Sequence, residues 1–378
     1  MSAPSVDTRA TGVGSAHTVT PVDSGIPARM RAVVVREKSS AGSLRVEQVP
    51  VPSPGPGQVL VEVLATTVIS SEIASREGVS TAALPLVLGN DFVGIVVAAP
   101  TAPQLLGSRV VGGYGGYGYT RDGAWADYLV VDEADVFPVD TTLDSVTLAA
   151  MPGSFTAASG SLRSLGNLDG ARLLIRGGTS GVGLAAATIA IDAGATVIAT
   201  TRDPRKAQAL RDHGVHDVVI DDGDLVARVH ELVPGGVDLA IDLLGVDSVS
   251  DTLRCAHDFG IVCLTGLLRD QTKSISDGIQ EDRSIPRFPH PLSMIPPTLR
   301  LTVGGVDGTA RTPALVREWV AGLESGRYRM PIDSVFTLED IGRAHLRRAD
   351  PATFGKVVLV VGESLPTTPI ASAPADAR

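Results

Sequence analysis

The sequence predicts an α/β chain of two domains, a β-rich module followed by a doubly wound parallel sheet. Three observations carry this reading. The chain has 378 residues, and a single hydrophobic core rarely grows past about 250–300 residues. From position 30 onward, short β-type runs are separated by Gly and Pro, as in an all-β or β-rich module. Beyond position 149 strands and helices alternate regularly, the pattern that builds a parallel sheet with helices on both faces.

Residues 1–29 are small and polar and read as a disordered arm, and residues 362–378 read as a tail of the same kind. Strands are expected at 30–35, 44–49, 59–67, 92–98, 109–112 and 125–131. Pro50, Pro52, Pro54, Gly55, Pro56 and Gly57 punctuate the second and third. Helical spacing begins over 149–165. Strands then fall at 172–176, 196–201, 217–220, 237–243 and 260–265, with helices at 181–193, 204–212, 225–232 and 248–257 between them. A helix at 312–326, an extended piece at 334–336, a helix at 338–348 and a strand at 355–361 follow. That last segment is placed to return to the first domain. The expected units are 30–148 with 308–361, and 149–307 between them.

Composition narrows the function. Apolar residues at 44% and charged residues at 20% describe a globular chain, not a disordered one. A net charge of −10 repels phosphate backbones, so no nucleic-acid partner is expected. No apolar run reaches the roughly 18 residues that span a bilayer, so no membrane partner is expected either. The first 29 residues lack the apolar core of a secretory signal. Cys255 and Cys263 cannot form a disulfide framework or a Cys-rich structural zinc site. The reducing cytoplasm is the expected location.

The most informative stretch is LLIRGGTSGVGLAAATIA. A strand ends at Gly177 and Gly178, and Gly181, Val182 and Gly183 open a helix. Glycine permits the tight turn and a close backbone approach. The helix start offers free N–H groups and the positive end of its dipole, which suits a dinucleotide pyrophosphate. Thr179 and Ser180 add hydroxyl donors, and Ala185, Ala186 and Ala187 allow close packing on the sheet. This is the Rossmann arrangement.

An NAD site usually ends the second strand with Asp or Glu, which binds the ribose hydroxyls. Here the tip reads Thr200, Thr201, Arg202. Arg202 and Lys206 suit a 2′-phosphate, and Asp203 before Pro204 suits a helix N-cap. The expected cofactor is therefore NADPH. The other reading of Arg202 and Lys206 is plain surface charge.

The glycine turn lies in mid-chain, and none of the five tyrosines has Lys four positions later, so the short-chain dehydrogenases are excluded. The segments MRAVVVRE, VPVPSPGPGQVLVEV, GNDFVGIVV, GAWADYLVV, RGGTSGVG, VDLAIDLLG and FGKVVLVV resemble the medium-chain dehydrogenase/reductase superfamily, and most closely its zinc-free quinone oxidoreductase branch. The resemblance covers about residues 30–361. It implies a GroES-like catalytic domain, closed by the C-terminal segment, around a Rossmann domain, with the nicotinamide in the cleft between them. It places Gly178, Gly181 and Gly183 at the phosphates and Thr156 near the nicotinamide. It puts Leu243, Leu244, Gly245, Leu264, Thr265 and Gly266 in loops flanking the cofactor. Phe354, Gly355 and Lys356 match a cofactor-side turn.

The departures concern metal. Zinc members of the family carry Cys near Ile69, His-Glu where this chain has Asn90 and Asp91, and a lobe of four cysteines that is missing here. No H-E-x-x-H pair occurs among the seven histidines, and His213 and His216 read as surface groups on the nucleotide domain. The Asn that quinone reductases usually place near Ile69 is missing as well. Without zinc the expected chemistry is hydride delivery to a conjugated electrophile, a quinone or an enone, because its carbonyl spreads the incoming charge.

Ser70, Ser71 and Asn90 occupy the vacated metal region and either face substrate or serve ordinary structural bonding. Asp91 reads as structural. In GGYGGYGYTRDG, Tyr114 or Tyr117 is a candidate donor to a carbonyl oxygen, unless the segment is a plain surface loop. Trp125 and Tyr128 are expected in the core. Two other functions stay open: an enoyl reductase of secondary metabolism acting on a specific intermediate, and a non-catalytic NADP-binding protein on the same fold. The apolar run TLRLTV at 298–303 would form a sheet edge. A homodimer through that edge is expected, and the resemblance implies the same.

Overall fold

The computed structural model describes residues 25–79, 82, 84–266, 294–304 and 311–362. Most of the expected N-terminal arm and C-terminal tail, and the expected domain boundary at 307–308, lie outside the described residues.

The first domain is built from β1 (Arg29–Val35), β2 (Val46–Pro50), β3 (Gln58–Val68), the short helix α1 (Ser70–Arg76), β4 (Leu86–Val87), β5 (Phe92–Ala98), β6 (Arg109–Gly112), β7 (Tyr128–Asp132) and β8 (Phe137–Pro138). β1 pairs antiparallel with both β2 and β4. The eleven-residue β3 organises the larger sheet. It pairs along one edge with β5, and it divides the other edge between β7 at residues 58–62 and a strand from the far end of the chain at residues 65–68. Buried Val33, Val61, Phe92, Trp125 and Leu129 fill the space between the layers.

The chain then passes through α2 (Ser145–Ala149) and α3 (Pro152–Leu165) into the alternating region. This comprises β9 (Arg172–Arg176), α4 (Gly181–Asp192), β10 (Thr196–Thr201), α5 (Ala207–Asp212), β11 (Asp217–Ile220), α6 (Leu225–Leu232), β12 (Val237–Asp242), α7 (Val246–Arg254), β13 (Ala256–Leu264) and β14 (Arg300–Val303). The six strands run parallel in the order β11-β10-β9-β12-β13-β14. The order reverses between β9 and β12, and ligands bind such sheets in the crevice beyond the strand ends at that point. The centre of the sheet is apolar, as burial on both faces requires: Leu173, Leu174 and Ile175 of β9 are fully buried.

The helix expected over 149–165 is α3, which opens at Pro152, and a separate short helix, α2, precedes it. Pro204 likewise opens a 3-10 turn before α5. His213 corrects another expectation. It is buried, with Nε2 2.9 Å from the carbonyl of Leu184, and desolvation lowers its pKa.

The last described segment carries α8 (Pro313–Glu324), β15 (Ile332–Thr337), α9 (Ile341–Ala349) and β16 (Lys356–Val360). β15 and β16 pair in parallel, and β16 lies antiparallel on β3. The chain therefore returns to complete the first domain. One apolar core crosses the junction: Phe155 of α3 meets Trp319 of α8 and Tyr328 at ring distances of 5.9 and 6.0 Å, and Val93, Val111 and Val358 belong to the same cluster.

Gly94 shows how closely β3 and β5 pack. A Cβ there would stand 2.2 Å from the carbonyl oxygen of Glu62 and 2.4 Å from a methyl of Val61. Gly94→Ala is expected to destabilise the chain by about 1–3 kcal/mol, the usual range for overpacking. A urea unfolding curve checks this, and an unchanged midpoint would refute it.

Candidate active site

β9 ends at Arg176 and the chain turns through Gly177, whose φ is 91°. The Gly177 N–H donates to Thr200 Oγ1 at 3.0 Å and the Gly178 N–H to the Thr200 carbonyl at 3.1 Å. The turn is thus tied to the second strand. Glycine is required sterically: a Cβ at Gly178 would lie 2.7 Å from that of Ala199, and one at Gly183 would lie 2.6 Å from the Gly177 carbonyl oxygen. Ser180 caps α4 by accepting from the Gly183 N–H at 3.1 Å and donating to the Gly177 carbonyl at 2.8 Å. The first turn of α4 offers its remaining N–H groups at the positive end of the helix dipole. Thr179, Gly181 and Val182 are half-buried at this rim.

Asp242 builds the opposite rim. Its buried carboxylate accepts from the N–H groups of Leu244 and Gly245 and from Ser248 and Thr252. This holds Leu243 and Gly245 at the end of β12. The N–H groups of Thr265 and Gly266 donate to the Asp242 carbonyl, and Thr265 Oγ1 lies 2.8 Å from Ser161 Oγ. Beneath the crevice the buried Arg176 pairs with Asp221 at 3.0 Å and donates to the Ser248 carbonyl at 2.7 Å.

At the tip of β10, Thr201 is buried and Arg202 is exposed. The Asp203 carboxylate is occupied: it accepts from the Arg205 backbone at 3.0 Å and from the Arg205 guanidinium at 2.9 Å. Lys206 is half-buried, and its Nζ donates to the Thr353 carbonyl at 2.6 Å. In this structure it fastens the C-terminal segment.

A polar network joins the two domains at Asp91. Its carboxylate accepts from Lys356 Nζ at 3.1 Å, from Thr67 Oγ1 at 3.0 Å and from Asn90 Nδ2 at 3.2 Å. Lys356 also reaches Ser154 Oγ of α3 at 3.4 Å. Both partners are buried, so Lys356 is a member of an ion pair here. It still lies against the phosphate turn, since a Cβ at Gly181 would come within 3.2 Å of Lys356 Cδ. Asn90 Oδ1 accepts from the Tyr114 N–H at 2.9 Å, and the Tyr114 hydroxyl donates to the Gly153 carbonyl at 3.2 Å. Tyr114 has a φ of 63°, a region that non-glycine residues rarely occupy and that tends to mark functional sites. Thr156 is buried on α3 and lines a small recess with Gly113, Met151, Arg311 and Trp319.

Ser70 opens α1, and its Oγ accepts from Arg348 at 2.6 Å. Ser71 Oγ lies 2.5 Å from the Tyr119 hydroxyl. Glu72 is fully buried and accepts from the N–H groups of Ile69 and Asn90, both at 2.8 Å. Burial pushes its pKa up to about 8 against the pull of those donors. Tyr117 is a correction: its side chain is fully buried, its hydroxyl donates to Asp135 at 3.1 Å and accepts from the Asp132 N–H at 2.9 Å, so it is part of the core. The tyrosine of this loop that reaches the Ser70–Ser71 region is Tyr119.

Two family models divide the chain as the structure does. A model of the alcohol dehydrogenase GroES-like domain matches residues 55–141, and one described as zinc-binding dehydrogenase matches residues 181–287. The mouse quinone oxidoreductase is 26% identical over 331 residues, 84% of this chain and 93% of that protein. This chain belongs to the medium-chain dehydrogenase/reductase superfamily. A zinc-type alcohol dehydrogenase-like protein of Schizosaccharomyces pombe is 32% identical over 222 residues, covering 57% of this chain and 64% of that protein. A solved structure described as an NAD-dependent alcohol dehydrogenase superposes with a TM-score of 0.73 at 26% identity, covering 88% of this chain and all of that one.

Members of this superfamily bind a nicotinamide cofactor, and the turn, the capped α4 and the Asp242 loop fit one. The residues do not fit the zinc of the zinc-dependent members. Asn90 spends both amide groups on Tyr114 and Asp91, Ile69 offers no ligand atom, and among the described residues no three His, Cys, Asp or Glu side chains gather as a metal site. Sequence reasoning missed Glu72, Ser154, Tyr119, Arg311 and Arg348. Arg311 donates to the Gly113 carbonyl and to Asp135.

Removing one member of a buried ion pair leaves the other charge unsatisfied, at about 3–5 kcal/mol. Lys356→Met is therefore expected to destabilise by that order, and adding Asp91→Asn should restore part of it; additive losses in a double-mutant cycle would refute the coupling. Glu72 makes a prediction about pH. Its folded pKa lies above the ordinary value of 4.5, so as pH rises from 4.5 towards about 8 the unfolded chain releases a proton that the folded chain retains. Stability is full below that window and falls through it. Glu72→Gln should flatten this part of the profile in thermal unfolding scans, and an unaltered slope would refute the assignment.

Proposed function

We propose that this chain is an NADPH-dependent oxidoreductase that delivers hydride to a quinone or another α,β-unsaturated carbonyl without a metal. The observation that carries the reading is the site itself. The glycine turn abuts Lys356 and Ser154 of the Asp91 network, and among the described residues no metal-ligand set gathers.

A bound nicotinamide supplies the hydride. The chain's part is binding, orientation and exclusion of water. The α4 start and the glycine turn hold the pyrophosphate, and the Asp242 loops and Thr156 flank the rings. Ser71 and Tyr119 offer hydroxyl donors where charge develops on a carbonyl oxygen. Burial raises the Tyr119 pKa, so its hydroxyl stays protonated and available as a donor at neutral pH.

NADPH is favoured by the β10 tip. The Asp203 carboxylate is held by Arg205 and turned away from the task of binding a ribose hydroxyl, while Arg202 is an exposed cation beside it. Arg202→Ala should weaken NADPH by about tenfold or more and NADH far less, since a charged hydrogen bond contributes about 1.5–3 kcal/mol. Equal effects on the two cofactors would overturn the 2′-phosphate role. The activity test is NADPH oxidation against quinones, alkenals and enoyl thioesters, before and after chelation. Turnover that survives chelation is expected; activity restored only by added zinc would refute metal independence.

We also propose a homodimer through β14. This strand is the edge of the six-stranded sheet, with Val303 59% exposed and Phe259 71% exposed nearby. An open edge of this kind invites pairing with a two-fold mate. Light scattering should give twice the chain mass, and Val303→Asp should return it to the single-chain mass. A wild-type monomer at micromolar concentration would refute the dimer.

A further inference from the structure

The loop between β6 and β7 brings Tyr114 to Asn90 and Tyr119 to Ser71. Gly115, Gly116 and Gly118 within it all have positive φ, so its backbone has little stiffness of its own. Side chains hold it instead. The Tyr117 hydroxyl sits between the Asp132 N–H at 2.9 Å and Asp135 Oδ2 at 3.1 Å. The Arg121 guanidinium lies 4.7 Å over the Tyr117 ring and pairs with Asp132 at 2.8 Å. These groups fasten the far end of the loop from neighbouring chain. The near end, at Gly113 and Tyr114, is fastened from the C-terminal segment.

Arg311, just ahead of α8, does this with both terminal nitrogens. One donates to the Gly113 carbonyl and the other to Asp135 Oδ1 at 2.6 Å. Asp135 is therefore shared, one oxygen with Arg311 and the other with Tyr117. The ion pair is sheltered, its side chains 14% and 13% exposed, so salt screens it little. The Gly113 carbonyl and the Tyr114 N–H belong to one peptide unit. Arg311 holds its oxygen, and Asn90 Oδ1 accepts its N–H at 2.9 Å. The Tyr114 hydroxyl is tied in turn to the Gly153 carbonyl at 3.2 Å. Three contacts thus bracket the Tyr114 φ of 63°, a conformation that persists only where its surroundings over-determine it.

We propose that Arg311 is a positioning residue for the acceptor side of the site. It grips the tyrosine loop directly at Gly113 and, through Asp135, at Tyr117, and so sets where the Tyr119 hydroxyl stands against Ser71. The inference rests on the reading of Ser71 and Tyr119 as donors to a carbonyl oxygen. Guanidinium suits the task because its fixed fork meets a carboxylate and a carbonyl at once, where a single ammonium would fix one direction only. Placement matters because a displacement of about 1 Å at a reacting centre can cost about a hundredfold in rate.

The test is Arg311→Met in the full chain, which keeps the length of the side chain and removes its charge and donors. Turnover of a quinone or an alkenal with NADPH should lose about tenfold or more in kcat/KM for the acceptor, while the NADPH dissociation constant keeps its wild-type value. In a Tyr119→Phe chain the same change should cost far less, because the group it positions is gone. Hydrogen exchange supplies a readout that needs no turnover: the amides of residues 113–121 should lose protection, and those of β9 should keep theirs. Arg311→Lys, which returns a charge to Asp135, should recover part of both effects. Unchanged acceptor kinetics with unchanged loop protection overturns the proposal, and so do additive losses in the Arg311 and Tyr119 variants. A wild-type chain that binds NADPH but reduces no quinone or alkenal overturns the acceptor reading instead, and loop protection alone then decides whether Arg311 holds the loop. Should Arg311→Met fail to fold, Asp135→Asn carries the same measurements, and wild-type protection of the loop there would refute the grip.

Discussion

The Asp91–Lys356 pair is the contact on which the rest of the site depends. Asp91 immediately precedes β5 and Lys356 begins β16, so the pair ties the N-terminal sheet to the returning strand. Lys356 also reaches Ser154 on α3 and packs against Gly181 at the start of α4. Three elements that share no sequence neighbourhood meet at one buried charge. The local glycines follow from this. A Cβ at Gly153 would stand 2.4 Å from an Asp91 carboxylate oxygen, and one at Gly113 would stand 2.9 Å from the same atom. Chain is brought close to the carboxylate where side chains would keep it away.

Around this polar centre the domains are joined by apolar packing. Phe155, Trp319 and Tyr328 form an aromatic cluster below the recess lined by Thr156. Such packing is non-directional, whereas the ion pair sets position. The combination explains how a site at a domain junction holds its donors in place. A buried pair gives little net stability for its cost in desolvation. Its role here is the geometry of Asn90, Ser154 and the α4 start.

What could be read from the sequence was local. The alternation of strands and helices, the glycine turn and the Asp203 cap each lie within a short window, and each is a direct expression of backbone physics. The pairing of Asp91 with Lys356 spans 265 positions and has no local signature. Helix α1 escaped notice because its buried residues include Glu72, Ser75 and Arg76, so the usual apolar stripe is missing. Tyr114, Tyr117 and Tyr119 sit in one glycine-rich run and look alike in sequence. Only the fold sends Tyr117 into the core and Tyr119 to Ser71. Arg347 and Arg348 are neighbours in sequence, yet the fold gives Arg347 to Asp333 and Asp350 and Arg348 to the Ser70 hydroxyl.

The divided edge of β3 bears on how such a chain is made. Residues 58–62 find their partner in β7, within the same stretch of chain, but residues 65–68 stay bare until β16 emerges. During synthesis the parallel sheet is complete before that strand exists. The first domain therefore waits with an open edge while the second forms beside it, and closing the gap joins points nearly the whole ordered chain apart. Closure over such a span is slow, and an open edge during the delay is vulnerable to pairing with the wrong strand. A domain folded around an inserted domain is thus fastened last at the place where its chemistry is arranged, so that a chain with a finished site is one whose two ends have met.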